Sequence, residues 1–311
     1  MEPAVMTQQL ATESASKNDV RPAIDAAPRT APSSLVPQAC PTCGVTPASN
    51  GAATVAPSYV YAIGRVEPYF PNLSVEKEFA QATGRAATAA LTDREALHQV
   101  LSQRQNRYLA RQLCYVLTIE GLETYILQPR DSLDFELLID AIRPRPEPTD
   151  VDIVIGLRGR IASPEVCNSL MVPIVVFDQL YSFDRASLFK SIPKPEHIPE
   201  EKFKAAAEEL FDRIMQMTGN AGETAEHRAL NYLAVRYHAI YAKAAEEFAR
   251  NSALSAVDVR ISPLSGVRNV EEVIFSYTDR NTDVIEKFSV RVDLTEMFPF
   301  LARKLAPYYD R

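Results

Sequence analysis

Tryptophan is absent from this chain, and glycine and cysteine are scarce, at 10 and 4 of 311 residues. So few cysteines in so long a chain exclude a disulfide framework standing in for a hydrophobic core. No apolar run reaches the roughly 20 residues that cross a bilayer, and the N-terminus has no apolar segment behind basic residues of the kind that opens a secretory signal. The expectation is therefore a soluble, cytoplasmic protein with no membrane partner. An excess of cations is also missing. The net charge of −7 argues against a nucleic-acid partner, whose phosphates call for a basic face. The glycine spacings of nucleotide loops and the GxSxG elbow of hydrolases are lacking too.

What is present is 46% hydrophobic residues spread along a chain long enough for one large domain or two modest ones. They are unevenly placed. Residues 1–57 contain no Phe or Tyr and carry prolines at 3, 22, 28, 32, 37, 41, 47 and 57. Such an arm buries too little apolar surface to offset the entropy of ordering it, so disorder is expected there. Its local exception is Cys40-Pro41-Thr42-Cys43-Gly44. Two thiolates two residues apart form a knuckle that donates half of a tetrahedral zinc shell. The other ligands would come from Cys114, Cys167, a histidine or a second subunit; the plainer reading is a pair of exposed thiols.

Ordered structure is expected from Ser58, with a strand over Tyr59–Ile63 ending at Gly64. A brief helix over 74–83 stops at Gly84. Thr92-Asp93-Arg94-Glu95 is a capping box that opens a helix to about Leu113, with Leu97, Val100, Leu101, Tyr108 and Leu109 inward. The centre of the expected fold is Cys114–Pro129, read as strands Tyr115–Glu120 and Glu123–Gln128 around a II′ turn at Gly121-Leu122. That turn pairs Leu117 with Ile126 and places apolar groups on both faces, the pattern of a hairpin covered on two sides. A helix over Ser132–Ile142, a proline-rich connector, and strands Val151–Arg158 and Met171–Phe177 follow.

Beyond an irregular stretch over 178–198, one helix is expected from Pro199 to Thr218 and a long one over Thr224–Asn251. The segment 256–311 alternates apolar and polar residues as three antiparallel strands, turned near Asp279–Asp283 and closed by a helix over Thr295–Leu305. The fold class is α+β: a mixed or antiparallel sheet with a central hairpin, packed helices and a C-terminal three-stranded antiparallel segment. Three parts are expected: the arm 1–57, an α+β domain 58–255, and 256–311 within the same globule.

No catalytic set assembles from these residues. His227 and His238 are about 16 Å apart along a continuous helix, too far for one metal. Asp150 and Asp152 head a strand and read as its polar entry, or as paired acid–base or metal carboxylates. Gly156 to Arg160 reads as a bulge and not as an anion loop. Glu200-Glu201, Glu208-Glu209 and Glu246-Glu247 read as solvated helix faces.

Several short motifs carry a family likeness. These are Tyr59-Val60-Tyr61-Ala62-Ile63-Gly64, the turn Thr118-Ile119-Glu120-Gly121 and its exit Tyr125-Ile126-Leu127-Gln128-Pro129. Arg228-Ala229-Leu230-Asn231-Tyr232-Leu233, Ile261-Ser262-Pro263 and Phe288-Ser289-Val290-Arg291-Val292-Asp293-Leu294-Thr295 complete them. In this order the chain resembles the domain of unknown function at the C-terminal end of the PatG-type maturation proteases of cyanobactin biosynthesis. The resemblance implies an appendage of a ribosomal-peptide modification pathway, a domain for which no activity of its own is established. It also implies zinc-linked dimers through cysteines placed before the first strand, where Cys40 and Cys43 stand. Subtilisin-type Asp, His and Ser motifs are missing, so protease activity does not carry over; Val66-Glu67-Pro68-Tyr69 stands where the family has Gly-Tyr-Asp.

The leading expectation is a non-catalytic accessory protein, dimeric, that binds a precursor peptide or a peptide-modifying enzyme. The alternatives are a zinc-dependent enzyme built on Cys40 and Cys43, and an arm that is itself a modifiable peptide.

Overall fold

The structure, a computed structural model, describes residues 57–85, 91–145, 150–217 and 219–309. Cys40 and Cys43, with the arm that carries them, lie outside the described residues.

Five strands close into a barrel: β1 (Tyr59–Tyr69), β2 (Cys114–Ile119), β3 (Leu122–Pro129), β4 (Val151–Ile161) and β5 (Pro173–Phe183), in the order β1-β2-β3-β5-β4. All neighbours are antiparallel except β3 and β5, which run parallel. β1 is long enough to pair with β4 through its first half and β2 through its second. Closure leaves no free edge on this sheet.

The hairpin at the centre of the expected fold is there, and it is covered on both faces. Its register differs by one residue from the expected one. Glu120 and Gly121 both take positive φ, 51° and 81°, the signature of a I′ turn. The turn thus falls one residue earlier than Gly121-Leu122. Leu117 pairs with Tyr125 and Val116 with Ile126. The earlier turn alone shifts the pairing by two, to Thr118 with Glu123, and a β-bulge between Leu117 and Thr118 takes back one. Because side chains alternate with period two, the net single step turns β3 over. Tyr115, Leu117, Tyr125 and Leu127 share one core, while Cys114, Val116 and Ile126 meet in another on the opposite face.

Between β1 and β2 lie α1 (Leu73–Arg85), α2 (Asp93–Ser102) and α3 (Arg107–Gln112). The capping box at Thr92 and Glu95 forms as expected. Gly84 does not stop the first helix, which runs to Arg85. The single helix expected to Leu113 breaks at Gln103, in extended backbone, and a 3-10 turn over Arg104–Asn106 joins its halves. Tyr108 thereby turns outward, 46% exposed. A 3-10 turn over Ser132–Asp134 and α4 (Phe135–Ala141) join β3 to β4.

The outer faces of β1 and β4, with Tyr61, Ile63, Ile153 and Ile155, pack in one core with α5 (Arg185–Ser191), α6 (Glu200–Met215), α7 (Ala225–Arg236) and α8 (Ala239–Ala249). That core continues into a second sheet of β6 (Ser252–Ile261), β7 (Val270–Asp279), β8 (Ile285–Asp293) and β9 (Phe300–Pro307), in sequential order. Val273, Phe275, Val290 and Val292, the alternating residues read from the sequence, face the helices.

Three expectations are corrected here. The stretch over 178–198 is not irregular, since β5 extends to Phe183 and α5 follows. The long helix is two, because Tyr237 leaves helical backbone at φ −118°, ψ 85°. The closing helix over Thr295–Leu305 is instead β9, so the C-terminal segment has four strands. These corrections leave the α+β class intact.

Candidate functional site

The strand order 1-2-3-5-4, with one parallel pair and a helix between β3 and β4, is that of an OB-type barrel. Such barrels bind on the β2–β3 face, between the β1–β2 and β4–β5 connections. At that place the protein has a cleft of about 440 Å³.

Each wall has a local cause. Leu113 takes extended backbone at the end of α3 and hands the chain to β2. The Tyr115 hydroxyl donates to Ala110 O at 3.0 Å, locking the last turn of α3 to the strand. Arg111 and Gln112 thus stand at the mouth, opposite Gln128 at the end of β3. Asp131 accepts from Leu133 N at 2.9 Å and caps the 3-10 turn that brings Ser132 and Phe135 to the cleft. Ile126, Leu127 and Pro129 add apolar lining, and Val166 of the β4–β5 loop completes it.

The lining is apolar with a few polar groups and Arg111 as its cation. The described lining residues include no His, Asp or Glu. Tyr115 is lined up at the cleft, but burial pushes its hydroxyl far above the usual phenol range, which removes it as an acid or base near neutrality. Arg111 is exposed and has no ion-pair partner among the described residues. A second cleft of about 380 Å³, lined by Gly64, Arg65, Glu67, Glu120 and Met215 among others, mixes both charges at its rim.

Cys114 lines the first cleft and forms a disulfide with Cys167. Both cysteines are buried, with Cα atoms 5.9 Å apart and 53 residues apart in sequence. They are therefore spent as the zinc ligands proposed to complement Cys40 and Cys43. Among the described residues no group of three or more His, Cys, Asp or Glu side chains is placed to hold a metal ion.

The remaining sequence candidates are structural. Asp152 is fully buried at the point where β1, β4 and β5 meet, ion-paired with Arg145. Val66 N donates to it at 2.6 Å and the Ser182 hydroxyl also donates to it. Asp152 is thus engaged in tying strands together. Gly156 sits at a register shift of β4, where a Cβ would overlap the Val176 carbonyl. His227 and His238 fall on opposite sides of the break at Tyr237. Ser265 accepts from Val270 N at 3.2 Å and donates to Arg268 O at 2.8 Å, closing a turn. Glu247 departs from its expected place on a solvated face: it is buried and paired with Lys243 at 2.7 Å and Arg250 at 3.3 Å.

The fold and cleft define an α+β protein built on an OB-type barrel, its β1 and β4 covered by helices and a second antiparallel sheet. The model of the PatG domain family matches residues 59–261, more than half of the 311 residues. The chain belongs to the PatG domain family. Among solved structures, a chain described as "PatG Domain of Unknown Function" aligns with a TM-score of 0.65 at 18% identity, covering 81% of this chain and 98% of that one. At that identity the likeness shows the fold. A comparison with curated proteins found no significant match. The resemblance read from Tyr59–Gly64 and the hairpin is borne out.

Proposed function

We propose that this protein is a non-catalytic binding module of a ribosomal-peptide modification pathway of the cyanobactin kind. Its β2–β3 cleft receives a short extended segment of a precursor peptide or of a peptide-modifying enzyme. The observation that carries this reading is the lining of that cleft. It has an apolar floor of Leu113, Ile126 and Phe135, a polar mouth of Gln112, Gln128 and Ser132, and Arg111 as its cation among the described residues. A few convergent polar groups around apolar surface are what orient a bound chain, and an arginine fork suits a C-terminal or side-chain carboxylate.

Titration of a fluorescein-labelled precursor peptide, followed by anisotropy, tests it. Saturable binding is expected, weakened about tenfold or more by Arg111→Glu or by Ser132→Trp, which fills the cleft. Failure of every peptide and enzyme encoded beside the gene to bind would overturn it.

The module is assigned zinc as a structural ion and a homodimer as its assembly. With Cys114 and Cys167 bonded to each other, two ligands come from Cys40 and Cys43 and the other two from the same knuckle of a second copy.

A further inference from the structure

We infer that the Cys114–Cys167 disulfide is a redox latch on this cleft: it holds the loop between β4 and β5 over the outer face of the hairpin, and its reduction opens an apolar groove for an extended peptide. The inference rests on the reading of the cleft as a peptide site. Under the loop lie Val116, 0% exposed, and Ile126, 2% exposed. Both belong to a small core with Cys114, Ala162, Cys167 and Ile174 that is separate from the barrel interior. Ile126 and Cys114 also line the cleft, so the covered patch is a continuation of its floor.

Apart from the disulfide, the loop is held by a small number of contacts. Between Ala162 and Ile174 the one fully buried side chain is Cys167; Leu170, Val172 and Pro173 are half-buried and the others exposed. Among the described residues its backbone hydrogen bonds close within the loop, Val166 N to Ser163 O at 3.0 Å, Ser169 N to Pro164 O at 2.8 Å and Leu170 N to Cys167 O at 2.8 Å. Ala162 N to Val172 O closes its base at 2.9 Å. These backbone bonds shape the loop without attaching it to the hairpin. Besides the disulfide, it meets the hairpin through Leu170 and Val172, packed against the core of Cys114, Val116 and Ile126, and through Val166 O, 3.3 Å from Cys114 Sγ. Immediately after Cys167, Asn168 and Ser169 both take left-handed backbone, φ 43° and 67°, a conformation that side-chain-bearing residues keep only where their surroundings impose it. With the latch released, these few contacts alone are left to hold the loop over Val116 and Ile126.

The step balances with a dithiol reductant as the second reactant. Its thiolate attacks the Cys114 sulfur, for which the cleft gives a route, and the Cys167 sulfur leaves as thiolate. The reductant's second thiol then displaces Cys114 and closes the reductant's own disulfide. Two electrons pass to the protein, and protons from the reductant's thiols end on Cys114 and Cys167. A disulfide of this kind is a sensor in a reducing compartment and a staple in an oxidising one.

The experiment compares oxidised protein with protein reduced by dithiothreitol, using hydrogen exchange of 163–171 and anisotropy of the labelled precursor peptide. Reduction is expected to speed exchange in the loop about tenfold or more while β1 and β4 stay protected, and to tighten peptide binding. Cys167→Ser should reproduce both effects without reductant, and Leu170→Ser should leave the oxidised loop closed. Unchanged loop exchange, or unfolding of the barrel on reduction, would overturn the latch. Equal peptide affinity in both states would overturn the latch and leave the binding module standing. Loop opening without peptide binding in either state would leave the latch standing and remove the peptide reading.

Discussion

Asp152, with a fully buried carboxylate, is ion-paired with Arg145, whose side chain is 13% exposed. The pair ties three strands at one point, through Val66 N of β1 and the Ser182 hydroxyl of β5. Removing the cation leaves a buried anion that its two remaining donors do not neutralise. Arg145→Ala is therefore expected to cost about 3–5 kcal/mol, while Arg143→Ala, at an exposed position, stays within about 0.5 kcal/mol. Urea unfolding midpoints at equal m-value are the measurement; equal effects of the two substitutions would count against the pair as a barrel tie.

Gly219 and Gly222 both have positive φ, 71° and 74°, but a Cβ on Gly219 meets nothing within 4 Å whereas one on Gly222 overlaps Tyr61 O and Ala62 Cα. Gly222 also accepts from Tyr61 N at 2.8 Å, and Asn231 Nδ2 donates to Tyr61 O at 2.8 Å. Gly219→Ala should cost about 1 kcal/mol for backbone conformation. Gly222→Ala should cost about 1–3 kcal/mol more for the overlap. Thermal unfolding of both variants checks the order.

Desolvation holds the His227 imidazole below its ordinary range, against the opposing pull of Glu226 and Glu223. A histidine whose folded pKa is depressed binds fewer protons folded than unfolded. Its contribution is fully present above the unfolded value near 6.5 and is lost as pH falls through the folded one. Stability should therefore decline on acidification from about pH 6.5, and His227→Gln should flatten that limb. Unfolding midpoints across this range read it out; a slope unchanged in the variant would refute the assignment.

Purified protein is expected to carry zinc at one ion per two chains, if the knuckles of two copies share it. Cys40→Ser with Cys43→Ser should release both the metal and the dimer, while Cys114→Ser should release neither. Elemental analysis and light scattering on the same samples decide it. Zinc that survives in the double variant would place the ion elsewhere.

Much of the fold is legible in the chain because it is set by near neighbours. The capping box at Thr92 and Glu95 is read and found, since both partners lie within one helical turn. The alternation through Val273 to Tyr277 and Phe288 to Val292 marks strands with one buried face. β9 was hidden because Leu301, Ala302, Arg303, Lys304 and Leu305 are helix formers by propensity, and pairing with β8 overrides them. The break between α7 and α8 was hidden as well. No glycine or proline marks it, and the Tyr237 hydroxyl instead accepts from Leu305 N of β9 at 3.0 Å. In the candidate site, Cys114 was visible at the mouth of the hairpin, but nothing within its own strand named Cys167 as its partner.

The sequence by itself determined the α+β class, the family, the strand and helix segments whose periods are local, and the place of the central hairpin. The tertiary structure alone decided the one-residue register that sends Val116 and Ile126 to the outer face, the Cys114–Cys167 bond and the cleft that Cys114 and Val166 line. The reason is physical: periodicity and caps depend on residues a few positions apart, whereas register, disulfide pairing and a cleft depend on which distant surfaces come to lie on one another.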